Sequence, residues 1–396
     1  MAKKILLFNH GSTFGGSGVA FLNIIDAIKE EGYELIVYCA ANKSDIADEL
    51  EKKGISVIRA YDSPVSIMHY SGNEHSVMSF SFIYNIFKIF KDVKRVKKVI
   101  LNEHPDLIMV NSMTLCWIGI ISKMRHIPAI CFHRETYAQG CFGIRTKIIK
   151  QILDHCYKRV AFISEYDLKE TKLNKSLGEV IYDAVDVTRF NYINKPCSRM
   201  ILKLEKDAFY VLYLGGASLL KGADTIISAI DKCDVEGIRL LFMGGDRLNT
   251  RAADRELSKI QKVYNRMKHP ERIILAPNSE EIGLWYAASD MVVFPSQKAH
   301  QALPIYEAGI ARRIIVISDF PNTKEFLTNK KNGLTVKAGD KVGWKNAIEF
   351  VYKNRQSKLV IDMIAQNEKL AMQYHDSRNI APKIREIFSN GLKAKT

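Results

Sequence analysis

Three turns, two of them glycine-bearing and each following a short apolar run, hold the residues of this sequence best suited to chemistry. Gly11-Ser12-Thr13-Phe14-Gly15-Gly16-Ser17-Gly18 follows the apolar residues 5–8 and precedes a helical stretch ending near Glu31. Glycines there let the backbone approach a ligand closely, and free amides at a helix start attract an anion. A tight strand-to-helix turn needs the same glycines, so this loop alone leaves both uses open. Its spacing is not the Gly-x-Gly-x-x-Gly dinucleotide fingerprint, and no acidic residue closes the second strand at Tyr38-Cys39-Ala40. Leu214-Gly215-Gly216-Ala217-Ser218-Leu219-Leu220-Lys221-Gly222 repeats the arrangement. Lys221 is placed to neutralise a phosphate in a cleft between domains, with a solvated surface lysine as the alternative. After Phe294 comes a polar loop containing His300, Gln301 and Ala302, and then Leu303-Pro304. Proline suits the first turn of a helix. The amides around 301–303 would then carry the positive end of the helix dipole toward a diphosphate. Glu307, a turn further on, is positioned either to accept sugar hydroxyls or only to stabilise the helix start. His133 ends the apolar run 129–132, at the sheet edge where ligands sit in open α/β proteins. A structural histidine is the competing use.

Residues 79–101 raise a different possibility. Ile83, Ile86, Phe87, Phe90, Val93, Val96 and Ile100 form a helical stripe, and Phe80, Phe82 and Tyr84 widen it. Lys88, Lys91, Lys94, Arg95, Lys97 and Lys98 stand against Asp92 alone. An interfacial helix on anionic lipid fits this pattern, as does a core-packed helix with a solvated outer face. The whole chain carries a net charge of +15, which favours anionic partners without choosing among them. Nucleic acid is the least attractive, because the basic residues belong to no recognised nucleic-acid module.

The elements that must position these residues follow a simple rhythm. Apolar runs at 5–8, 34–39, 56–58, 107–110, 129–132 and 160–163 alternate with stretches long enough for crossover helices. The rhythm restarts at 210–214, 239–243, 272–275, 291–294, 314–317 and 333–336. Continuous apolar runs joined by helices are the pattern of buried parallel sheets, so the expectation is α/β, with two Rossmann-like domains in tandem. The expected division is 1–195 and 196–376, with a join where Asn194, Lys195, Pro196 and Ser198 interrupt the periodicity. Seven scattered cysteines with no Cys-x-x-Cys pair suit reduced thiols in a cytoplasmic protein. The first apolar run is too short for a signal peptide, and no segment has the roughly 20 apolar residues of a membrane span.

Taken in order, these segments resemble the family-4 retaining glycosyltransferases along nearly the whole chain. The glycine loop corresponds to Gly15-Gly16-Ser17-Gly18, the strand-end histidine to His133, and a serine segment to Ile163-Ser164-Glu165. A family turn appears as Asp183-Ala184-Val185-Asp186 with Phe190. The phosphate clamp appears as Gly215-Gly216 with Lys221-Gly222, and the motif of two glutamates falls on Ala299 and Glu307. The resemblance implies the GT-B fold, two Rossmann-like domains facing a central cleft, with a last helix (377–396) crossing back to the first domain. It further implies a nucleoside-diphosphate-sugar donor held mainly by the C-terminal domain, no cofactor or obligatory metal, and retention of configuration. The expected catalytic residues are His133, Lys221 and Glu307. The expected donor contacts are Gly16, Gly18, Gly215, Gly216, Lys221, Arg247, His300, Gln301, Ala302, Leu303 and Glu307. The family's habits and the basic helix suggest a lipid-linked saccharide acceptor, in surface-polysaccharide assembly, on the inner face of the cytoplasmic membrane. Two departures stand out: the clamp arginine is Gly216, and the first glutamate is Ala299. Arg247 or Arg251 is placed to restore the missing charge, and His300-Gln301 to replace the missing contact. A nucleotide-sugar epimerase and a catalytically degenerate binding protein are the alternatives; a nicotinamide oxidoreductase lacks its fingerprint.

Overall fold

The computed structural model describes residues 2–12, 15–39, 43–60, 80–136, 144–174, 176–190, 194–251, 254–299 and 303–393, side chains at 80–86 and 144–145 excepted. The chain divides into two compact units, Met1–Ala184 with Ser377–Thr396, and Val185–Asp376.

The first unit contains a parallel sheet of β1 (Lys4–Asn9), β2 (Glu34–Cys39), β3 (Ser56–Arg59), β4 (Leu107–Asn111), β5 (Ala129–His133), β6 (Arg159–Phe162) and β7 (Gly178–Val180). Their spatial order is β3-β2-β1-β4-β5-β6-β7. Strand side chains alternate between faces. Ile5 and Leu7 therefore join α1 (Gly16–Ile28), α2 (Asp45–Lys52) and the C-terminal helix Ser377–Lys393 in one core. Leu6 and Phe8 join α3 (Phe80–Glu103), α4 (Ile118–Met124) and α5 (Ile144–Cys156) in the other. A short α6 (Glu165–Thr171) follows β6.

The second unit repeats the plan with β8 (Phe209–Tyr213), β9 (Ile238–Met243), β10 (Ile273–Ala276), β11 (Met291–Phe294), β12 (Ile314–Ser318) and β13 (Leu334–Val336). The order is β10-β9-β8-β11-β12-β13, again parallel. Its helices are α7 (Lys195–Ile201), α8 (Ala223–Asp231), α9 (Arg255–Tyr264), α10 (Ile282–Ala288), α11 (Leu303–Ile310), α12 (Lys341–Asn354) and α13 (Lys358–His375); Ser377–Lys393 is α14. In each sheet the progression of strand order reverses once, between β1 and β4 and between β8 and β11. In such sheets ligands collect at this switch point, beyond the C-terminal strand ends.

The units change over at Ala184 and Val185, not at 195 and 196. The polar stretch read as a join is the start of α7. Asn194 caps it by accepting the Cys197 amide at 3.0 Å, and a proline stands in its first turn. The preceding segment is already part of the second unit. Val185 donates its amide to His375 O at 2.7 Å, and Phe190 packs edge-on against Tyr286 with centroids 5.3 Å apart.

Candidate active site

In the second unit, the loops leaving β8 and β11 flank the switch point and are fastened together. The Gln297 amide donates to Leu220 O at 2.7 Å. Gly222, at φ +79°, lies so close to the second loop that a Cβ would stand 2.0 Å from Pro295 O. Only glycine accommodates both the left-handed backbone and that approach. Tyr213, the last residue of β8, turns its hydroxyl back to Gly216 O at 3.1 Å and Lys221 O at 3.2 Å, so its ring lies under Gly215. Glu256 of α9 braces the same loop by accepting the Leu219 amide at 2.7 Å. The loop after β9 adjoins it, because a Cβ on Gly244 would lie 3.3 Å from the Gly216 Cα. Arg247 follows on an exposed turn, Asp246–Asn249, at this same sheet edge.

Lys221 is partly exposed, and among the described residues no carboxylate pairs with it. Desolvation by its surroundings pushes its ammonium pKa below the ordinary lysine range. A cation that has lost water without gaining a counter-ion is stabilised by any anion that arrives beside it. His300, Gln301 and Ala302 lie outside the described residues, whereas Leu303 opens α11 and is partly buried.

Glu307 is 7% exposed, and its Oε2 accepts the Tyr286 hydroxyl at 2.7 Å. Burial raises its carboxyl pKa above the usual range, while the Tyr286 bond and the charge of Arg189 act the other way. Among the described residues no donor reaches its second oxygen. Replacing Tyr286 with phenylalanine removes a donor from this buried carboxylate, at an expected cost of about 1–3 kcal/mol. A carboxyl whose folded pKa is raised loses stability as pH climbs from its unfolded value through its folded value. Tyr286→Phe raises that folded value further, so its destabilisation should be larger at neutral pH than in mild acid. Urea unfolding at the two pH values reads the difference.

In the first unit, the structure places His133 differently from the expectation of a ligand-facing side chain. It is 0% exposed, with its ring 4.7 Å from that of Phe162 on the neighbouring strand. Of the polar residues around it, Asp183 belongs to the family turn at 183–186, whereas Asn9, Asn111, Arg134 and Glu135 were not singled out from the sequence. Arg134 Nε donates to Asn111 Oδ1, its Nη1 pairs with Asp183, and its Nη2 lies 3.5 Å from Ala20 O in α1. Asn111 then donates to Asn9 Oδ1 at 2.9 Å, and Asn9 donates to Gly11 O at 2.9 Å. One chain of hydrogen bonds thus runs from Asp183 to the glycine loop. Glu135 accepts from the Ser112 hydroxyl and from the Met113 and Arg134 amides, at 3.1 and 3.2 Å. Ser112 sits at φ 103°, a strained conformation of the kind found where chemistry is positioned. The available signal was an asparagine ending each of two apolar runs. Gly16 is exposed and Gly18 buried, and the first two amides of α1, at Gly16 and Ser17, meet no acceptor among the described residues. Ser164 is a buried helix cap, accepting the Asp167 amide at 3.0 Å.

Two family models match the chain in succession. Residues 14–189 match the family model described as Glycosyltransferase Family 4, and residues 195–370 match Glycosyl transferases group 1. A D-inositol 3-phosphate glycosyltransferase of Xylanimonas cellulosilytica is 27% identical over 149 residues, 37% of this chain. The chain spans 34% of that relative's length. Among solved structures, Anabaena HepE in complex with UDP-glucose superposes with a TM-score of 0.78 at 16% identity, over 98% of this chain and 99% of that one. A glycosyltransferase from Rickettsia africae gives 0.76 at 15% identity, over 99% of both chains. These likenesses show the GT-B fold.

Proposed function

Since this chain belongs to the family 4, group 1 glycosyltransferases, we propose that it transfers a sugar from a nucleoside diphosphate to a saccharide acceptor, with retention of configuration. The observation that carries this reading is Lys221, placed at the switch point of the second sheet and, among the described residues, without a carboxylate partner. As the glycosidic bond breaks, charge gathers on the departing diphosphate, and preoriented cations and amides aimed at that charge lower the barrier. Lys221 and the amides opening α11 do this here. Arg247 adds a second cation at the same edge, where Gly216 stands in place of an arginine. Glu307, fixed through Oε2 by Tyr286, keeps Oε1 for a donor hydroxyl. Buried behind the first unit's sheet edge, His133 acts through its neighbours, with Arg134 and Glu135 shaping the acceptor side. This scheme requires no metal, so chelation with EDTA is expected to leave the rate unchanged.

HepE's complex with UDP-glucose makes UDP-glucose the first donor to test. Incubation with UDP-glucose and a saccharide acceptor should release UDP and give a product with the donor's anomeric configuration by NMR. An inverted product excludes the retaining mechanism. Ala299 and Gly216 favour a second reading, a protein that binds nucleotide sugars without turning them over; tight UDP binding with no release from any donor supports that instead.

The acceptor's setting is proposed from the first unit's surface. Among its described residues, the large exposed apolar side chains are Phe87, Phe90, Leu101, Ile120, Met124 and Ile148, all on the α3–α5 layer. Phe87 and Phe90 are 65% and 70% exposed beside the lysines of α3. Among the described residues no helix is long and apolar enough to cross a membrane. An anionic bilayer surface matches both features, because lysines near it gain about 1 kcal/mol each and buried phenylalanines about 1.5–3 kcal/mol. Wild-type protein should sediment with phosphatidylglycerol vesicles and not with phosphatidylcholine. Joint Phe87→Ser and Phe90→Ser replacement should weaken that binding at least roughly tenfold. Equal binding to both vesicle types, or none, removes the membrane from the proposal.

A further inference from the structure

The second unit has a cavity of about 300 Å³ at the opposite edge of its sheet from the glycine loops. Phe209 opens β8 and Ile314 opens β12, and both line it, so it is separated from the β8 loop by the length of a strand, roughly 15 Å. Four cations line the same space: Lys195, Arg312, Arg313 and Arg355. Its one acidic lining residue, Asp290, is already neutralised twice, by Lys195 at 2.7 Å and by Arg199 at 2.7 Å. Arg312 makes a single ion pair, from Nε to Glu368 at 2.9 Å. Counting these neighbours, five cations face two carboxylates.

The arginines differ in what they have left to give. Arg313 spends its donors on the carbonyls of Tyr286, Ala287 and Arg312, and so serves as part of the frame. Arg355 is held over the Tyr352 ring, 4.6 Å from its centroid, with Nη1 bonded to Tyr352 O. Its Nε and Nη2, and both terminal nitrogens of Arg312, meet no acceptor among the described residues. Two guanidinium groups with idle N–H pairs, at the mouth of a cavity floored by Phe209 and Ile314, suit a bidentate oxyanion carrying a small carbon body.

We propose that this cavity is a second ligand site, specific for a small phosphate ester and independent of the donor site. Arg312 and Arg355 grip the phosphate, and the apolar floor receives the rest of the molecule. Calorimetric titration with phenyl phosphate, an ester with an apolar body, and with inorganic phosphate, on wild type, Arg312→Gln/Arg355→Gln and Lys221→Gln, tests it. The expected result is saturable binding of the ester, weakened roughly tenfold to a hundredfold in the double arginine variant. Lys221→Gln, altered only at the donor site, should bind the ester as wild type does. Free phosphate binding as tightly as the ester overturns the assignment of an ester. Absence of binding in the millimolar range, undiminished affinity in the double variant, or loss of binding in Lys221→Gln overturns the site. Both arginines are exposed at the cavity mouth, and the melting temperature of the double variant checks that the fold is kept.

Discussion

Lys221→Gln is expected to lower turnover by about a hundredfold to a thousandfold, the usual effect of deleting one group that meets charge developing on a leaving group. Stability should not fall with it. The ammonium is desolvated and has no carboxylate partner among the described residues, so its charge costs folding free energy and does not supply it. For a base whose folded pKa is lowered, this cost is fully present below the folded value and fades as pH rises toward the unfolded one. At neutral pH the glutamine variant should therefore unfold at an equal or slightly higher urea concentration than wild type. The two readouts together separate a catalytic cation from a structural one. A bound diphosphate reverses the electrostatics, so diphosphate affinity in the wild type should weaken as pH rises through the lowered lysine pKa. Unchanged turnover in the glutamine variant would refute the role given to this lysine.

Gly222→Ala should be strongly damaging for so small a substitution. Its backbone is at φ +79°, and the added methyl would start 2.0 Å from Pro295 O. The loop cannot retreat easily, because Tyr213 holds Lys221 O and Gln297 holds Leu220 O on either side. Overpacking of 1–3 kcal/mol and a left-handed alanine of about 1 kcal/mol together give a loss of roughly 2–4 kcal/mol. Whatever folds should have a displaced Lys221. Gly16→Ala is the matched control: no atom lies within 4 Å of its Cβ position, and it sits at the start of α1. Removing that glycine should be neutral or stabilising by up to about 1 kcal/mol, through the unfolded chain. Urea midpoints of the two variants should differ widely. Similar midpoints would mean that the β8 and β11 loops are not joined as described.

Much of the architecture was legible because buried parallel strands write their own signal. Runs such as 107–110 and 291–294 are apolar at every position, since both faces of each strand are covered. β7 escaped notice: Gly178–Val180 is three residues with a glycine and a glutamate, at the sheet edge. Asn194 and Pro196 were misread for a physical reason as well. Asparagine caps and early prolines begin helices as readily as they interrupt them, and only the packing of α7 decides which. Within the site, Lys221 and Glu307 were visible from their positions after strands. Their surroundings were not. Glu307 meets Tyr286, 21 residues away, and Asn9 meets Asn111 across 102 residues of sequence. A single chain read end to end carries no trace of such pairs. His133 shows the same limit from the other side: a strand-end position fixes where the backbone goes, not whether the ring points at a ligand or at Phe162.

Calorimetric comparison of UDP with uridine, in wild type and in Lys221→Gln, tests most directly whether this lysine and its loop hold a pyrophosphate. The expected result is that UDP binds at least about a hundredfold more tightly than uridine, and that the glutamine variant erases most of that difference while binding uridine unchanged. If UDP and uridine bind the wild type equally, or the variant keeps the full difference, the diphosphate is held elsewhere or not at all.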